Sequence, residues 1–204
     1  MSEIQYAGEY HIEVCEIYAA SGTVLDLKDQ FASVNIYEDI FKNSLTGDIS
    51  IVDTNNLLTN LPIIGQEKLK LRIVTPNADD DNTRTMAVDF TDTPLYIYKV
   101  SSKVSINDNT NAYTLSFTTP EAVRSNRIRV TQAFEGEPSV DIIKKIFRDE
   151  NLLNSKKEFY YEETSNNFKF VSPNLRPFDF INSVGKRCLS KEYNYAPTFL
   201  FYET

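Results

Sequence analysis

The sequence predicts a mainly β protein whose second half combines helices with strands. Short runs in the first half alternate apolar and polar residues, and turn-forming residues separate several of these runs. Amphipathic helical spacing begins only after Pro120. The 204 residues are 41% hydrophobic and 25% charged, as in globular proteins with a buried core. We therefore expect a small antiparallel barrel or sandwich over residues 1–119 and an α+β segment over residues 120–204.

The strands of the first half are predicted to be half-buried. In residues 46–51, Ile49 and Ile51 fall on one face of the strand, whereas Asp48 and Ser50 fall on the other. A further strand is expected over residues 31–37. The predicted core-facing residues of these and the next strand are Ile49, Ile51, Leu69, Leu71 and Ile73.

A hairpin is predicted over residues 95–117. Its strands cover residues 95–106 and 113–117, and Asn and Asp at positions 107–109 tolerate the conformations of a tight turn. The alternation places Tyr96, Tyr98, Val100, Val104 and Ile106 on one face and the lysines and serines between them on the other.

Two amphipathic helices are predicted in the second half. The first covers residues 139–148, with Ser139 as its cap and apolar residues at 142, 143, 146 and 147. The second covers residues 177–189, with Pro177 in its first turn and basic residues near its end. Residues 196–204 have an apolar strand pattern. We expect either a longer gene product or pairing of this strand with something outside the chain.

No motif of the chain indicates catalysis. His11 is the only histidine, and it lies four positions before Cys15 on a predicted strand, where the two side chains share a face without touching. Cys15 and Cys188 are expected to be buried thiols or, alternatively, one long-loop disulfide. A carboxylate pair for glycoside hydrolysis is a minor alternative, because nothing marks one acid among the many.

Metal and cofactor sites are not predicted. Residues 77–83, which include Asp79, Asp80 and Asp81, lack the alternating ligands, the glycine and the closing Glu of a calcium loop, so we expect an exposed loop. The six glycines form no phosphate-binding cluster. We therefore predict a non-enzymatic binding or structural protein without cofactors.

The net charge of −8 argues against binding to nucleic acid through its phosphates. Residues 1–102 contain 7 Lys or Arg and 16 Asp or Glu, a net charge of −9, whereas residues 103–204 carry +1. Neither a secretory signal nor a run of apolar residues long enough to span a membrane is visible in the sequence.

Several stretches resemble one family. They are VNIYEDIFKNSLTGDISIVD (34–53), LPIIGQE (61–67), VTQAFEG (130–136), SPNLRPFDFIN (172–182) and PTFLFYE (197–203). Their order and spacing are similar to those of the baseplate hub proteins of contractile-tailed bacteriophages of the T-even and cyanophage type. The resemblance implies a tail-tube-like antiparallel β-barrel followed by an α+β domain segment. It also implies that a second barrel would follow residue 204.

The resemblance implies a homotrimer in which two barrels per subunit form a pseudo-hexameric ring. Its implied partners are the central spike protein, the tail tube or a tube-initiator ring, and the wedge proteins of the baseplate. DNA would pass through the ring without specific binding, and the protein would reside in the tail baseplate of the virion after assembly in the host cytoplasm. No membrane insertion is implied.

Asp48 and Ser50 would then be candidates for the lumen of the ring, with bulk solvent as the alternative. Candidate contacts between subunits lie in hairpin edges and in the loops at 38–44 and 77–84; they are Glu38, Asp39, Phe41, Asp79, Asp80 and Asp81.

Two alternatives to the phage hub remain. One is the equivalent hub of a phage-derived contractile injection or secretion system. The other is a carbohydrate-binding or hydrolytic tail module, which would require an aromatic, concave sugar site.

Overall fold

A computed structural model describes residues 10–28, 30–54, 57, 63–75, 86–107, 110–193 and 196–204. The chain forms two compact units. The first, which we call the sheet unit, contains Met1–Tyr37 and Thr46–Pro120; the second, the mixed unit, contains Glu38–Leu45 and Glu121–Thr204. The predicted fold class, mainly β with antiparallel sheets and helices in the second half, is confirmed.

The sheet unit is built on one antiparallel sheet of eight strands. The strands are β1 (His11–Tyr18), β2 (Val24–Asp26), β3 (Phe31–Tyr37), β4 (Thr46–Asp53), β5 (Lys68–Thr75), β6 (Met86–Asp89), β7 (Leu95–Asn107) and β8 (Thr110–Thr118). Their order across the sheet is β2-β1-β5-β7-β8-β4-β3, and β6 pairs with β5. Among the described residues no ladder joins β3 to β1 or β2.

One face of this sheet carries the core of the unit. Ile49 and Ile51 of β4, Leu69 and Leu71 of β5, and Leu115 of β8 are at most 1% exposed. The intervening residues of β4 are half-buried, which confirms the alternation predicted for this strand. Burial of apolar side chains from neighbouring strands on one face is the main source of stability for such a sheet.

The prediction that Ile73 lies in the core is wrong. Ile73 is only half-buried, and Val74 takes the buried position instead. In the paired strand β1, the register shifts between Ile12 and Val14, so that Glu13 is an extra residue. A bulge of this kind interrupts the two-residue alternation of the ladder.

The face assignment of the predicted hairpin is also wrong, although the hairpin itself is present. Leu95 and Ile97 are the buried residues of β7, whereas Tyr98, Val104 and Ile106 are 54–58% exposed. The β7–β8 ladder shifts register three times, and Ser102 has a φ of 54°. These irregularities reset the side-chain alternation that the sequence pattern assumes. Residues 108 and 109 of the predicted turn lie outside the described residues.

The mixed unit combines three helices with a two-stranded sheet. The helices are α1 (Pro120–Arg127), α2 (Ser139–Arg148) and α3 (Pro177–Gly185), and the strands are β9 (Ala133–Pro138) and β10 (Asn167–Val171). The first residue of α1, Pro120, belongs to the sheet unit. Phe134, Phe170 and Phe180 form a stacked trio with ring centroids 5.4–5.8 Å apart. The apolar residues predicted at 142, 143, 146 and 147 of α2 are buried as expected.

Both predicted helix ends differ in detail. Ser139 does not cap α2, because its hydroxyl donates to the backbone carbonyl of Asn166 at 3.0 Å, and Pro138 occupies the cap position. Helix α3 ends at Gly185 instead of residue 189. The N–H of Arg187 donates to the carbonyl of Val184, and the N–H of Cys188 to that of Gly185, so the chain tightens into shorter turns.

The C-terminal residues 196–204 form no ladder with any strand of the described chain. From Phe199 to Thr204, half-buried and exposed residues alternate. Phe199 and Phe201 pack against the core of the mixed unit, whereas Leu200 is 57% exposed. Side-chain packing therefore holds the segment in place, and its pairing as a strand with something outside the chain stays a prediction.

We predict that Gly47→Ala destabilises the protein. A Cβ at position 47 would lie 2.3 Å from the carbonyl oxygen of Asn35 and 2.3 Å from Cζ of the fully buried Phe117. Because neither group has room to move, we expect a loss of about 1–3 kcal/mol in the free energy of unfolding. Urea titration followed by circular dichroism measures it.

The matched control is Gly185→Ala, because a Cβ there meets nothing within 4 Å. We expect this change at the end of α3 to be neutral or slightly stabilising. Equal stability of the Gly47→Ala variant and the unchanged protein would contradict the packing described for β4 and β8.

Candidate assembly surfaces

Loop 38–45, between β3 and β4, belongs to the mixed unit. Asn43 and Asn182 exchange two amide hydrogen bonds of 2.9 and 2.8 Å, and Asn43 Nδ2 also donates to the carbonyl of Phe201. The N–H of Leu45 donates to a carboxylate oxygen of Glu203 at 2.9 Å. These bonds fix the loop to α3 and to the C-terminal segment.

A buried ion network holds the other side of the C-terminal segment. Lys157 Nζ lies 2.9 Å from Glu121 Oε2 and also forms an ion pair with Glu203. The side chains of Lys157, Glu121 and Glu203 are 24%, 7% and 14% exposed. The hydroxyl of Ser155 donates to the second oxygen of Glu121 at 2.7 Å. Because these charges are largely out of water, each one depends on its partners.

The two acidic residues of the predicted contact loop, Glu38 and Asp39, bind groups within the mixed unit. Asp39 accepts the N–H of Phe41 at 2.9 Å and lies 3.8 Å from Lys42 Nζ. Glu38 accepts a hydrogen bond from the hydroxyl of Thr204. The side chain of Phe41 is 77% exposed, so this residue keeps the open surface that a contact with a partner would need. Asp79, Asp80 and Asp81 lie outside the described residues.

Asp48 and Ser50 lie on the polar face of β4, opposite the buried face. Asp48 accepts a hydrogen bond of 2.8 Å from the hydroxyl of Tyr37, and the Ser50 hydroxyl lies 3.4 Å from that of Thr114. Both residues are half-buried. Their role as lumen residues stays a prediction.

A groove runs along the surface of the mixed unit, with a volume of about 590 Å³. Two segments, residues 159–162 and 198–202, line it and are called its walls; Ile40 and Phe41 line it as well. Helices α2 and α3 and the residues just after α3 supply its floor. The floor residues are Val140, Ile143, Ile181, Asn182, Gly185, Lys186 and Cys188. The groove is thus mainly apolar.

A second concave surface shares Tyr160, Tyr161 and Glu162 with the groove. We call it the tyrosine–glutamate pocket, and its other residues are Glu163, Lys191, Glu192 and Tyr193. Lys191 Nζ pairs with Glu163 at 2.6 Å, and Lys144 Nζ lies over the Tyr161 ring, 3.3 Å from its centroid. Aromatic faces beside carboxylates attract cations.

The two thiols are free and buried, as the first of the two alternatives predicted. Burial raises the pKa of Cys15 to about 12 and also raises the pKa of Cys188. A thiol in this state is a poor nucleophile at neutral pH. His11 is exposed at the start of β1.

Among the described residues, no group of three or more His, Cys, Asp or Glu is arranged to hold a metal ion. The same part of the chain contains no helix long and apolar enough to cross a membrane.

Neither a protein-family model nor a curated protein sequence matches the chain. Its structure, however, is similar to solved tail proteins. The 43 kDa tail protein of prophage MuSo2 from Shewanella oneidensis aligns with a TM-score of 0.52 at 10% identity, covering 88% of this chain and 48% of that protein. The tail protein of Neisseria meningitidis MC58 aligns with a TM-score of 0.49 at 11% identity, covering 87% and 46%.

A third similar structure is the Escherichia coli c3393 protein, described as a component of the type VI secretion system that resembles the T4 tail proteins gp27 and gp5. It aligns with a TM-score of 0.42 at 10% identity, covering 87% of this chain and 40% of that protein. The chain therefore spans about half the length of the tail proteins that it matches. Its structural similarity to the Shewanella tail protein shows that the chain has a fold of the phage tail-protein type.

Sequence reasoning missed the ion network and the groove. Lys157, Glu121 and Glu203 come from three distant parts of the chain, and no local pattern links them. The apolar pattern of PTFLFYE likewise contained no signal of which residues would lie beside this segment.

We predict that Lys157→Met strongly destabilises the mixed unit. The change leaves the carboxylates of Glu121 and Glu203 without their shared cation, and breaking a buried pair in this way costs about 3–5 kcal/mol. Urea unfolding should show this loss, and limited proteolysis should show earlier cleavage of the C-terminal segment. The control, Lys191→Met, removes an ion pair whose two side chains are 65% and 66% exposed, and should leave unfolding unchanged. Equal effects of the two variants would contradict the network.

We further predict that stability falls in alkali because of Cys15. Its folded-state pKa lies above the ordinary value, so the thiol contributes full stability below about pH 9 and loses that contribution as the pH rises towards 12. The raised pKa of the Tyr113 hydroxyl acts in the same direction. The slope of unfolding free energy against pH should therefore be smaller in Cys15→Ala. An unchanged slope would contradict the assignment.

Proposed function

We propose that the protein is a structural, non-enzymatic hub subunit of a contractile-tail baseplate. Three copies form a ring that joins the tail tube to the central spike and lets DNA pass. The single observation that carries this proposal is the tail-protein type of fold, which extends over 88% of the chain. The similarity of several sequence stretches to baseplate hub proteins supports the same function.

The edge of β7 supports assembly into a ring. Between Tyr98 and Ile106, β7 pairs only with β8 among the described residues, so no strand of the described chain covers its other edge there. Val104 and Ile106 are each 58% exposed on this hairpin. An open strand edge with exposed apolar residues favours pairing with another chain.

The charge distribution fits a channel for DNA. Residues 1–102 carry a net charge of −9, and Asp48 and Ser50 lie on the polar face of the sheet. An acidic wall repels a passing polyanion and so prevents it from binding. We propose these two residues as part of that wall.

A pseudo-hexameric ring of three subunits requires two barrel-like units from each subunit. The sheet unit supplies one of them. The matched tail proteins are about twice as long as this chain, which leaves room for a second unit of the same kind in a hub of their length. The proposed partners are the spike, the tube or its initiator ring, and the wedge proteins, within the virion tail after assembly in the host cytoplasm.

The test is native mass spectrometry of the full-length gene product, alone and mixed with its proposed spike partner. We expect a three-chain mass, either alone or on addition of the spike. A monomer under both conditions would overturn the trimeric hub.

A pair of variants distinguishes a specific interface from general stickiness. Val104→Asp combined with Ile106→Asp places charge on the exposed hairpin and should abolish the three-chain mass without unfolding the sheet. The control, Val24→Asp, changes a residue that is 47% exposed on the edge strand β2 and should leave the mass unchanged.

A further inference from the structure

Two helices meet in the mixed unit at the point where α1 ends and α3 begins. The N–H of Phe178, in the first turn of α3, donates to the hydroxyl of Ser125 in α1 at 3.1 Å. Arg176, which directly precedes α3, donates from Nη1 to Oδ1 of Asn126 at 3.0 Å. The guanidinium group of Arg176 therefore lies beside the last turn of α1, whose final residue is Arg127.

A third arginine is brought to this junction by an antiparallel bridge. Val130 pairs with Leu175, and the N–H of Val130 donates to the carbonyl of Leu175 at 2.8 Å. Arg129 directly precedes one partner of this bridge, and Arg176 directly follows the other. The antiparallel pairing thus places the two arginines opposite each other. We call Arg127, Arg129 and Arg176 the arginine cluster.

The arginine cluster has no acidic partner in the described part of the chain. All three residues are exposed, and none of them forms an ion pair there. Asp179, in the first turn of α3, is the acidic residue closest to the cluster in sequence, and it forms no ion pair either. Like charges directly opposite each other destabilise an antiparallel pair. Carboxylates from another chain would relieve the repulsion between Arg129 and Arg176.

The cluster also keeps most of its hydrogen-bond donors. A guanidinium group carries five N–H donors. Arg176 uses one of them on Asn126, and Arg129 uses one on the carbonyl of Ile128 at 2.9 Å. By contrast, Arg72 is engaged by two carboxylates of the sheet unit, at 3.0 and 3.5 Å. The free donors of the cluster suit carboxylates, which accept two parallel bonds from one guanidinium group.

The sequence contains a segment of matching charge. Asp79, Asp80 and Asp81 form the longest run of consecutive acidic residues in the chain, and residues 77–83 contain no Lys or Arg. The sequence predicts this segment to be an exposed contact loop, and it lies outside the described residues. Its three carboxylates equal the three guanidinium groups of the cluster in number and oppose them in charge.

We propose that the arginine cluster binds residues 77–83 of a second copy of the chain. The aspartates accept hydrogen bonds from the guanidinium groups and neutralise their charge. Because two different surfaces meet, the contact is heterologous, the kind that closes several copies into a ring. The inference rests on the proposed hub for its second copy, whereas binding of the isolated segment requires no ring.

The probe is a synthetic peptide with the sequence of residues 77–83, acetyl-Asn-Ala-Asp-Asp-Asp-Asn-Thr-amide, labelled for fluorescence anisotropy. We expect saturable binding to the full chain that weakens as salt is added, because salt screens exposed charges. A control peptide with Asn in place of the three aspartates keeps the size and loses the charge. It should bind at least about tenfold more weakly.

Paired variants of the chain locate the site. Arg129→Gln combined with Arg176→Gln removes two charges of the cluster and should weaken peptide binding at least about tenfold. The matched control is Lys186→Gln combined with Arg187→Gln, which removes two exposed positive charges just after the other end of α3. The control should leave binding unchanged. Urea unfolding followed by circular dichroism verifies that both variants fold.

Charge reversal tests the same contact in the assembled protein by native mass spectrometry. Arg129→Asp combined with Arg176→Asp should abolish the three-chain mass of the full-length gene product, and so should Asp79→Arg combined with Asp81→Arg. A chain with all four changes again has opposite charges on the two surfaces. It should recover the three-chain mass.

Other results would overturn the contact and the hub separately. Equal loss of peptide binding in the control pair would mean general charge attraction and reject the contact. Binding of single-stranded DNA in place of the peptide, abolished by Arg129→Gln with Arg176→Gln, would make the cluster a phosphate site. No peptide binding by a chain that still forms the three-chain mass would reject the contact and leave the hub intact. A monomer that binds the peptide through the cluster would support the contact and reject the trimeric hub.

Discussion

The arrangement of the mixed unit depends on one cation. Lys157 holds Glu121, at the start of α1, and Glu203 in the C-terminal segment. Glu203 in turn accepts the N–H of Leu45 in loop 38–45. A single ammonium group thereby positions three segments that are far apart in sequence. Since the network is largely buried, its geometry is strongly favoured over any arrangement that separates the charges.

This network explains how the groove walls stay in place without a ladder. Residues 198–202 have no strand partner, so the position of this wall depends on Phe199 and Phe201 in the core and on the ion pair at Glu203. The opposite wall begins immediately after Lys157 itself. The two walls are therefore anchored at a common end, and the ring centroids of Phe159 and Phe201 lie 6.2 Å apart beside it.

Sequence patterns predicted the parts of the fold that rest on local regularity. Alternation located β4 and its buried Ile49 and Ile51, and helical spacing located the buried face of α2. The errors along β7 come from bulges, because one extra residue reverses the faces and no residue type marks the position. The error at Ile73 lies beside a bulge in the paired strand β1. The candidate surfaces were largely beyond prediction, since they are formed by residues such as Asn43 and Asn182 that meet only in the folded chain.

Both units contain backbone that forms no ladder among the described residues. In the sheet unit it is one edge of β7 between Tyr98 and Ile106, and in the mixed unit it is residues 198–202. Proteins that act as monomers cover or shorten such edges, because an open edge pairs with other chains. Exposed apolar residues accompany both features here, namely Val104 and Ile106 on the hairpin and Phe41 at the groove. Backbone pairing and apolar contact thus coincide at two places, which is the pattern expected of a subunit whose hydrogen bonding is completed by assembly.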